Sequence, residues 1–380
     1  MSQTHDPGWE ALAASAIYAP NDFWRLRWVA VELPSELTGI GARIVMLLGG
    51  ALPTGSVDVL SAYGIVLDAE QRGRATPGRT TFLSPFTGAL GPGAAWVARR
   101  RGYRHTVICP AGIEDELRAA QRIYGTELID VSAVGERELL ERVAELSTDP
   151  DVAVIAPYES MAAYHFHHGV TGGAILGTIE GTIAAVVSSA GEPATFAAAD
   201  RVKETYPESL TVAVESGEGG ALWKAAWSDE QCDSLVPLNL NLDRLDRVAR
   251  VDPALCAAVR DYCVRELGYR WDVGFAAIAN LIAAIQVGRA EEFTADDIVI
   301  VVGTDGGDGS SATEGSSKWR SLSGLRELDD EGLADLTPPS VRERLWTMRN
   351  AFWSELVPKE ELRAHRSAEF WREVGAQPLR

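Results

Sequence analysis

The chain has 380 residues, 46% of them hydrophobic and 23% charged, which are the proportions of a folded globular protein with sequence enough for more than one core. Its formal charge of −19 disfavours nucleic acid and anionic membrane surfaces as partners, and it contains no apolar run of transmembrane length. The opening MSQTHDPGWEALAAS lacks a basic start followed by an apolar stretch, so a cytoplasmic location is expected. Cys109, Cys232, Cys256 and Cys263 show no CxxC spacing and are expected as reduced, packed thiols.

In chain order, RIVMLLGG reads as a strand, SVDVLSAYGIVLDAEQRG as a helix, TTFLSP as a strand and GPGAAWVARRRGY as a helix. HTVICPAG, IEDELRAAQRIYG, TELIDV, ERELLERVAEL and DVAVIAPY continue the alternation of strand and helix, the pattern of βαβ crossovers around a parallel sheet. TIAAVVSSAG and LTVAVES are then strands around the helix ATFAAADRVKETY. PALCAAVRDYCVRELG and FAAIANLIAAIQVGRA are helices, and DIVIVVGTDGG is a last strand. The polar, tryptophan-bearing tail is predicted helical around PPSVRERLWTMRNAFWSEL. This order predicts an α/β protein with an N-terminal lobe over 1–157, a C-terminal lobe over 158–309 and a helical extension over 310–380. A crevice at the strand ends would be the natural ligand site.

The same order, with several local strings, resembles the fold-type II pyridoxal-phosphate enzymes, the tryptophan synthase β-like superfamily, and within it the cysteine synthase branch. The resemblance runs from about Ile44 to Gly309 and implies a two-lobed three-layer fold with parallel sheets and a homodimer. The string LPTGSVDVL, Leu52 to Leu60, is similar to the family's NPTGSxKDR, whose lysine forms the imine with the cofactor; Asp58 stands at that position. Ser84-Pro85-Phe86-Thr87-Gly88 is similar to SGNTG, the loop that binds the substrate carboxylate, with Phe86 in place of the asparagine that meets the cofactor ring. The resemblance thus implies substrate-binding roles for Ser84, Phe86, Thr87 and Gly88.

Two further strings depart from the family. Ala190-Gly191-Glu192-Pro193-Ala194 occupies the place of the phosphate cradle GTGGT. Such a cradle needs convergent backbone N–H groups. Pro193 has none to give. Glu192 brings a carboxylate that would cost about 4 kcal/mol per unit of like charge at about 4 Å and an effective dielectric of about 20. GTDGGDGSS, Gly303 to Ser311, resembles the loop facing the pyridine nitrogen, with Gly306 at the polar position and Asp305 and Asp308 beside it.

Four altered cofactor contacts lead to the expectation of a chain that uses no pyridoxal phosphate. Buried unpaired carboxylates take up a proton or a cation, so Asp58, Glu192, Asp305 and Asp308 suit a cationic or amino-bearing ligand. Asp58 and Glu192 are the candidate acid–base residues, and Asp305 and Asp308 further substrate contacts. The expected activity is a PLP-independent elimination or substitution on a small amino-acid-like molecule, by a lyase or transferase. Two alternatives stand beside it: a pseudoenzyme that binds a metabolite or a catalytic paralogue, and an atypical enzyme that keeps pyridoxal phosphate through Lys224 or by noncovalent contacts.

YHFHHG gathers His165, His167 and His168 without an HExxH pattern or a partner Cys/His cluster, so no metal site is expected. It reads as a loop with one useful imidazole, His167, a third catalytic candidate. No GxGxxG, Walker or GxSxG string is present, which excludes the signatures of nicotinamide, nucleoside-triphosphate and serine-hydrolase chemistry.

Overall fold

The computed structural model describes residues 28–113, 115–132, 135–227, 235–265, 273–306, 325, 328 and 332–376. The chain forms two compact units, a smaller one holding Asp58–Ala163 and a larger one holding Trp28–Val57 and the chain from Tyr164 onward. Asp308, Lys318 and Cys232 lie outside the described residues.

The larger unit begins with β1 (Ala30–Leu33), the short helix α1 (Ser35–Thr38) and β2 (Arg43–Leu48). The chain then passes into the smaller unit. There it forms α2 (Asp58–Gln71), β3 (Thr81–Pro85), α3 (Leu90–Arg100), β4 (Arg104–Pro110), α4 (Asp115–Arg122), β5 (Glu127–Val131), α5 (Glu136–Leu146) and β6 (Val152–Val154). Helix α6 (Met161–Gly169) leads back to the larger unit. There α7 (Thr171–Thr178), β7 (Thr182–Ser189), α8 (Phe196–Lys203), β8 (Leu210–Ser216), α9 (Ala221–Trp227) and β9 (Arg247–Val251) follow. The chain continues through α10 (Pro253–Arg265), α11 (Phe275–Ala290), β10 (Asp297–Gly303) and β11 (Leu333–Asp335). It ends in α12 (Pro339–Trp353), α13 (Lys359–Ala364) and α14 (Ala368–Ala376).

The smaller sheet has the order β5-β4-β3-β6, parallel throughout. The larger sheet runs β1-β2-β10-β7-β8-β9-β11. It is parallel except at its two rims, where β1 pairs with β2 and β11 with β9 in antiparallel fashion. Its inner strands are apolar on both faces, as a parallel sheet covered by helices requires. Ile44 and Met46 of β2 join Val299 and Val301 of β10 in one core, while Val45 and Leu47 join Ile298, Ile300 and Val302 in the core on the other face. Helix α11 is buried along almost its whole length and lies in the first of these cores. In the smaller unit Leu139 and Val143 of α5 pack on Leu83, Ile108 and Val131 of the sheet.

One sequence reading is corrected here. YHFHHG is not a loop: it forms most of α6, with Ala163, Tyr164, Phe166, His167 and His168 all buried. Histidines obscure the apolar periodicity of that string, and a packed helix that buries His167 and His168 replaces the expected loop. Among the described residues no helix is long and apolar enough to cross a membrane.

Candidate active site

The turn before Asp58 is made by backbone geometry that few residues adopt. Thr54 and Gly55 have φ of 69° and 70°, consecutive left-handed conformations. Glycine takes this freely, but a β-branched threonine does so at a cost on the order of 1–3 kcal/mol, a strain that packing has to hold in place. The holding contacts come from the end of β10. Val57 N–H donates to Thr304 O at 2.9 Å, Gly306 N–H donates to Gly55 O at 2.8 Å, and Ser56 and Asp305 form an isolated antiparallel bridge. Gly55–Val57 and Thr304–Gly306, apart in sequence, are thus joined within the larger unit.

Asp58 is the first residue of α2 and only 2% exposed. Its carboxylate stands at the positive end of that helix, where the peptide dipoles favour an anion. The start of α2 lies against α3: a Cβ at Gly93 would be 3.0 Å from Val59 N and 3.2 Å from the Asp58 carbonyl carbon. An added methyl group would force the two helices apart by a few tenths of an ångström, so glycine favours this approach.

The Ser84–Gly88 loop leaves β3 and enters α3. Phe86 N–H donates to Ile108 O at 2.9 Å, and Gly88 turns at φ +64°. Ser84 is fully buried, with its hydroxyl 3.0 Å from His105 Nε2, whereas Phe86 and Thr87 are half-buried and Gly88 is exposed. The open part of the loop is therefore Phe86 to Gly88, next to the first turn of α3. Asp58 and this loop belong to one unit, and the Gly93 contact brings their two helices together.

Glu192 and Asp305 belong to the larger unit. Glu192 is half-buried in the loop after β7, and that loop consumes its own donors. Glu192 N–H donates to Ser189 O at 3.1 Å, Thr195 N–H to Glu192 O at 3.0 Å and Gly191 N–H to Ser189 Oγ at 3.4 Å. The Thr195 hydroxyl binds Glu192 O and Ser188 Oγ, both at 2.6 Å. Asp305 turns both carboxylate oxygens to the first turn of α11, accepting from Ala277 N–H at 2.8 Å and Ala276 N–H at 3.2 Å. Burial nevertheless holds its carboxyl above the ordinary range, against the lowering effect of those N–H groups.

His167 is fully buried on α6, its Nδ1 2.9 Å from Thr171 Oγ1. Desolvation pulls its pKa down to about 3, so it is neutral at physiological pH. It is not brought together with Glu192 or Asp305 by any of these contacts. Of the described lysines, Lys203 is buried in an ion pair with Asp246 at 2.7 Å, while Lys224 on α9 and Lys359 on α13 are exposed.

Sequence reasoning missed three side chains around the loop: His105, Thr126 and Gln121, all buried. A signal for the first was present, since a histidine inside the apolar run of a central strand has to spend its ring nitrogens on buried partners.

Two units with mostly parallel sheets, this strand order and terminal helices define the tryptophan synthase β-like, fold-type II architecture. A hydrogen sulfide-producing enzyme from Fusobacterium nucleatum has the same fold, with a TM-score of 0.66 at 20% identity over 76% of this chain and 99% of the other. So does O-ureido-L-serine synthase, with a TM-score of 0.64 at 22% identity over 77% and 91%. The family model described as pyridoxal-phosphate dependent enzyme matches residues 30–305, and the chain belongs to this family. Cysteine synthase B of Escherichia coli strain K12 is 26% identical over 275 residues, 70% of this chain and 86% of its own length. Cysteine synthase B of Salmonella typhimurium is 27% identical over 280 residues, with the same coverage.

Family membership corrects the expectation of a chain that uses no cofactor: this is a family of pyridoxal-phosphate dependent enzymes. The departures at Asp58, Phe86 and the Ala190–Ala194 loop are departures within such a family, and do not argue that the cofactor is dispensed with. The residues at these positions still do not fit the group in the manner the resemblance implies. Asp58 offers no amine, and the loop after β7 directs the N–H groups of Gly191, Glu192 and Thr195 to its own oxygens.

Proposed function

We propose that the chain catalyses an elimination or substitution on a small amino-acid-like substrate, as a cytoplasmic homodimer. Cysteine and O-ureido-L-serine, which name the products of its relatives and structural neighbours, are both amino acids with a heteroatom on the β-carbon. A molecule of that class is the substrate on this reading. Its carboxylate is taken by Thr87, Gly88 and the first turn of α3, where N–H groups and the helix dipole favour an anion. Phe86 supplies an apolar contact, and Ser84 anchors the loop from beneath. Asp58 moves the proton.

The observation that supports this most directly is the packing of Gly93 on Asp58 and Val59, which sets a buried carboxylate and an exposed loop at the starts of two adjoining helices. The test is to incubate the protein and pyridoxal phosphate with O-acetyl-L-serine and either sulfide or hydroxyurea, following products by mass spectrometry. Product formation that falls at least about 100-fold in Asp58→Asn, with an unchanged circular dichroism spectrum, is expected of an acid–base group. No product from the wild type, or full activity in the variant, overturns the reading. Light scattering on the eluted protein tests the dimer.

A further inference from the structure

The Ser84–Gly88 loop is fastened at both ends by buried side chains from neighbouring elements. At the first end Ser84 Oγ lies 3.0 Å from His105 Nε2, and His105 Nδ1 lies 3.0 Å from Thr126 Oγ1. Ser84, His105 and Thr126 are all buried, so this hydroxyl–imidazole–hydroxyl chain is shielded from water. At the other end the Gln121 side-chain amide donates to Gly88 O at 3.0 Å, and Gln121 is 2% exposed. The fit is close: a Cβ at Gly91 would stand 1.7 Å from Gln121 Oε1, so α3 can begin there only with a glycine while Gln121 keeps its place.

We propose that His105 and Gln121 are positioning residues that hold the Ser84–Gly88 loop in its ligand-binding conformation, His105 through Ser84 and Gln121 through the Gly88 carbonyl. The identification of the loop's ligand as an amino-acid carboxylate rests on the function proposed above; the clamp itself rests on the distances just given.

The chemistry suits a fixed anchor. A neutral imidazole carries one N–H and one lone pair, so it donates at one end of the chain and accepts at the other, and both hydroxyls can complete it. Burial keeps His105 neutral, with its pKa near 3, so ordinary changes of pH do not break the chain. Three consecutive residues, Pro85, Phe86 and Thr87, then span the two anchors, Ser84 and Gly88. A loop ordered beforehand loses little conformational freedom on binding, which is where such anchors raise affinity.

The experiment compares amide hydrogen exchange of the full-length wild type with His105→Leu, His105→Gln and Gln121→Met. The amides of Thr87, Gly88, Ala89 and Gly91 are expected to exchange at least tenfold faster in His105→Leu and Gln121→Met. The amides of β3 and α5 are expected to keep their rates. His105→Gln, whose amide reaches Ser84, is expected to restore the wild-type pattern at the loop. Unchanged loop exchange, or acceleration spread evenly over the smaller unit, overturns the proposal. Calorimetric binding of L-serine, with ethanolamine as the probe lacking a carboxylate, separates the two readings. A weakened L-serine titration in His105→Leu with ethanolamine unaffected supports both. A wild type that ignores L-serine overturns the ligand reading, and the exchange data alone then decide the clamp.

Discussion

Asp305 Oδ1 accepts the backbone N–H of Ala277 at 2.8 Å, so a residue at the end of β10 caps the long buried helix that precedes it in sequence. The bond satisfies a donor that an isolated helix would leave orphaned inside the protein. Asp305→Ala is expected to lower unfolding stability by about 1–2 kcal/mol, and Asp305→Asn by less. Urea titration of the three proteins checks this; equal midpoints would contradict the capping role.

Asp200 lies buried with Tyr164 OH donating to it at 2.6 Å and Asn241 Nδ2 at 3.1 Å. Burial raises its pKa from 3.8 to about 6 in spite of those donors and of Arg244 and Lys203. Below pH 3.8 both the folded and the unfolded chain are protonated here. Between 3.8 and about 6 only the folded chain keeps the proton, so this group's contribution to stability is full at low pH and declines as pH rises. The whole change is on the order of 3 kcal/mol. Asp200→Asn is expected to remove that decline, as read from urea midpoints across pH 4 to 7.

His167 works in the opposite direction. Its pKa falls from 6.5 to about 3 on burial, so the neutral folded form contributes stability above pH 6.5 that is lost as pH drops toward 3. His167→Gln is expected to flatten the acid limb of the stability profile by up to about 1.4 kcal/mol per pH unit. Thr171, which shares its hydroxyl with His167 and Trp28, gives a parallel check: Thr171→Val should destabilise without changing that slope.

Buried Lys203 pairs with half-buried Asp246 at 2.7 Å, and Asp246 also accepts Thr211 N–H at 2.7 Å. Lys203→Met removes the cation beside a half-buried carboxylate that keeps only the Thr211 N–H bond, and is expected to cost on the order of 1–3 kcal/mol. Thermal unfolding measures the cost. Activity per folded molecule should survive, because this lysine is occupied in holding β8 and the chain entering β9.

At Gly91 a methyl group and the Gln121 amide compete for one space. Gly91→Ala should push Gln121 off the Gly88 carbonyl and reproduce the loop exchange pattern of Gln121→Met, with α3 otherwise intact. Wild-type exchange at Gly88 and Ala89 in this variant would show that the side chain finds another way to keep its bond.

Much of the fold was legible because its strands are buried on both faces and its helices alternate with them. RIVMLL, TIAAVVSS and DIVIVVG could be little else, and their bounds as strands lie close to those expected. What periodicity could not carry was partnership. RIVMLL has the composition of a central strand in either sheet, and only its register beside Ile298–Gly303 assigns it to the larger one. The edge strands AVEL and LAD are too short and too polar to stand out, and three histidines hid the helix at Met161–Gly169.

Of the candidate site, the loop and Asp58 could be found by resemblance, because strings of sequence carry it. Asp305 was read as a ligand contact, and its binding of Ala276 and Ala277 depends on a turn that no local pattern reveals. The apolar run around His105 signalled that its ring needs buried partners but not which ones, and Gln121 gave no signal: each acts on a residue more than twenty positions away, through a single hydrogen bond with no spacing rule.

The larger sheet seats β2 directly beside β10, although some 250 residues separate them. On a ribosome, β2 emerges early and waits for that neighbour until nearly the end of synthesis, while every strand of the smaller sheet is made between Thr81 and Val154. The smaller sheet can therefore complete itself first. A nascent chain halted before Asp297 would hold the strands of the smaller sheet complete and those of the larger sheet in two pieces, β1-β2 and β7-β8-β9, each with an open flank where β10 belongs.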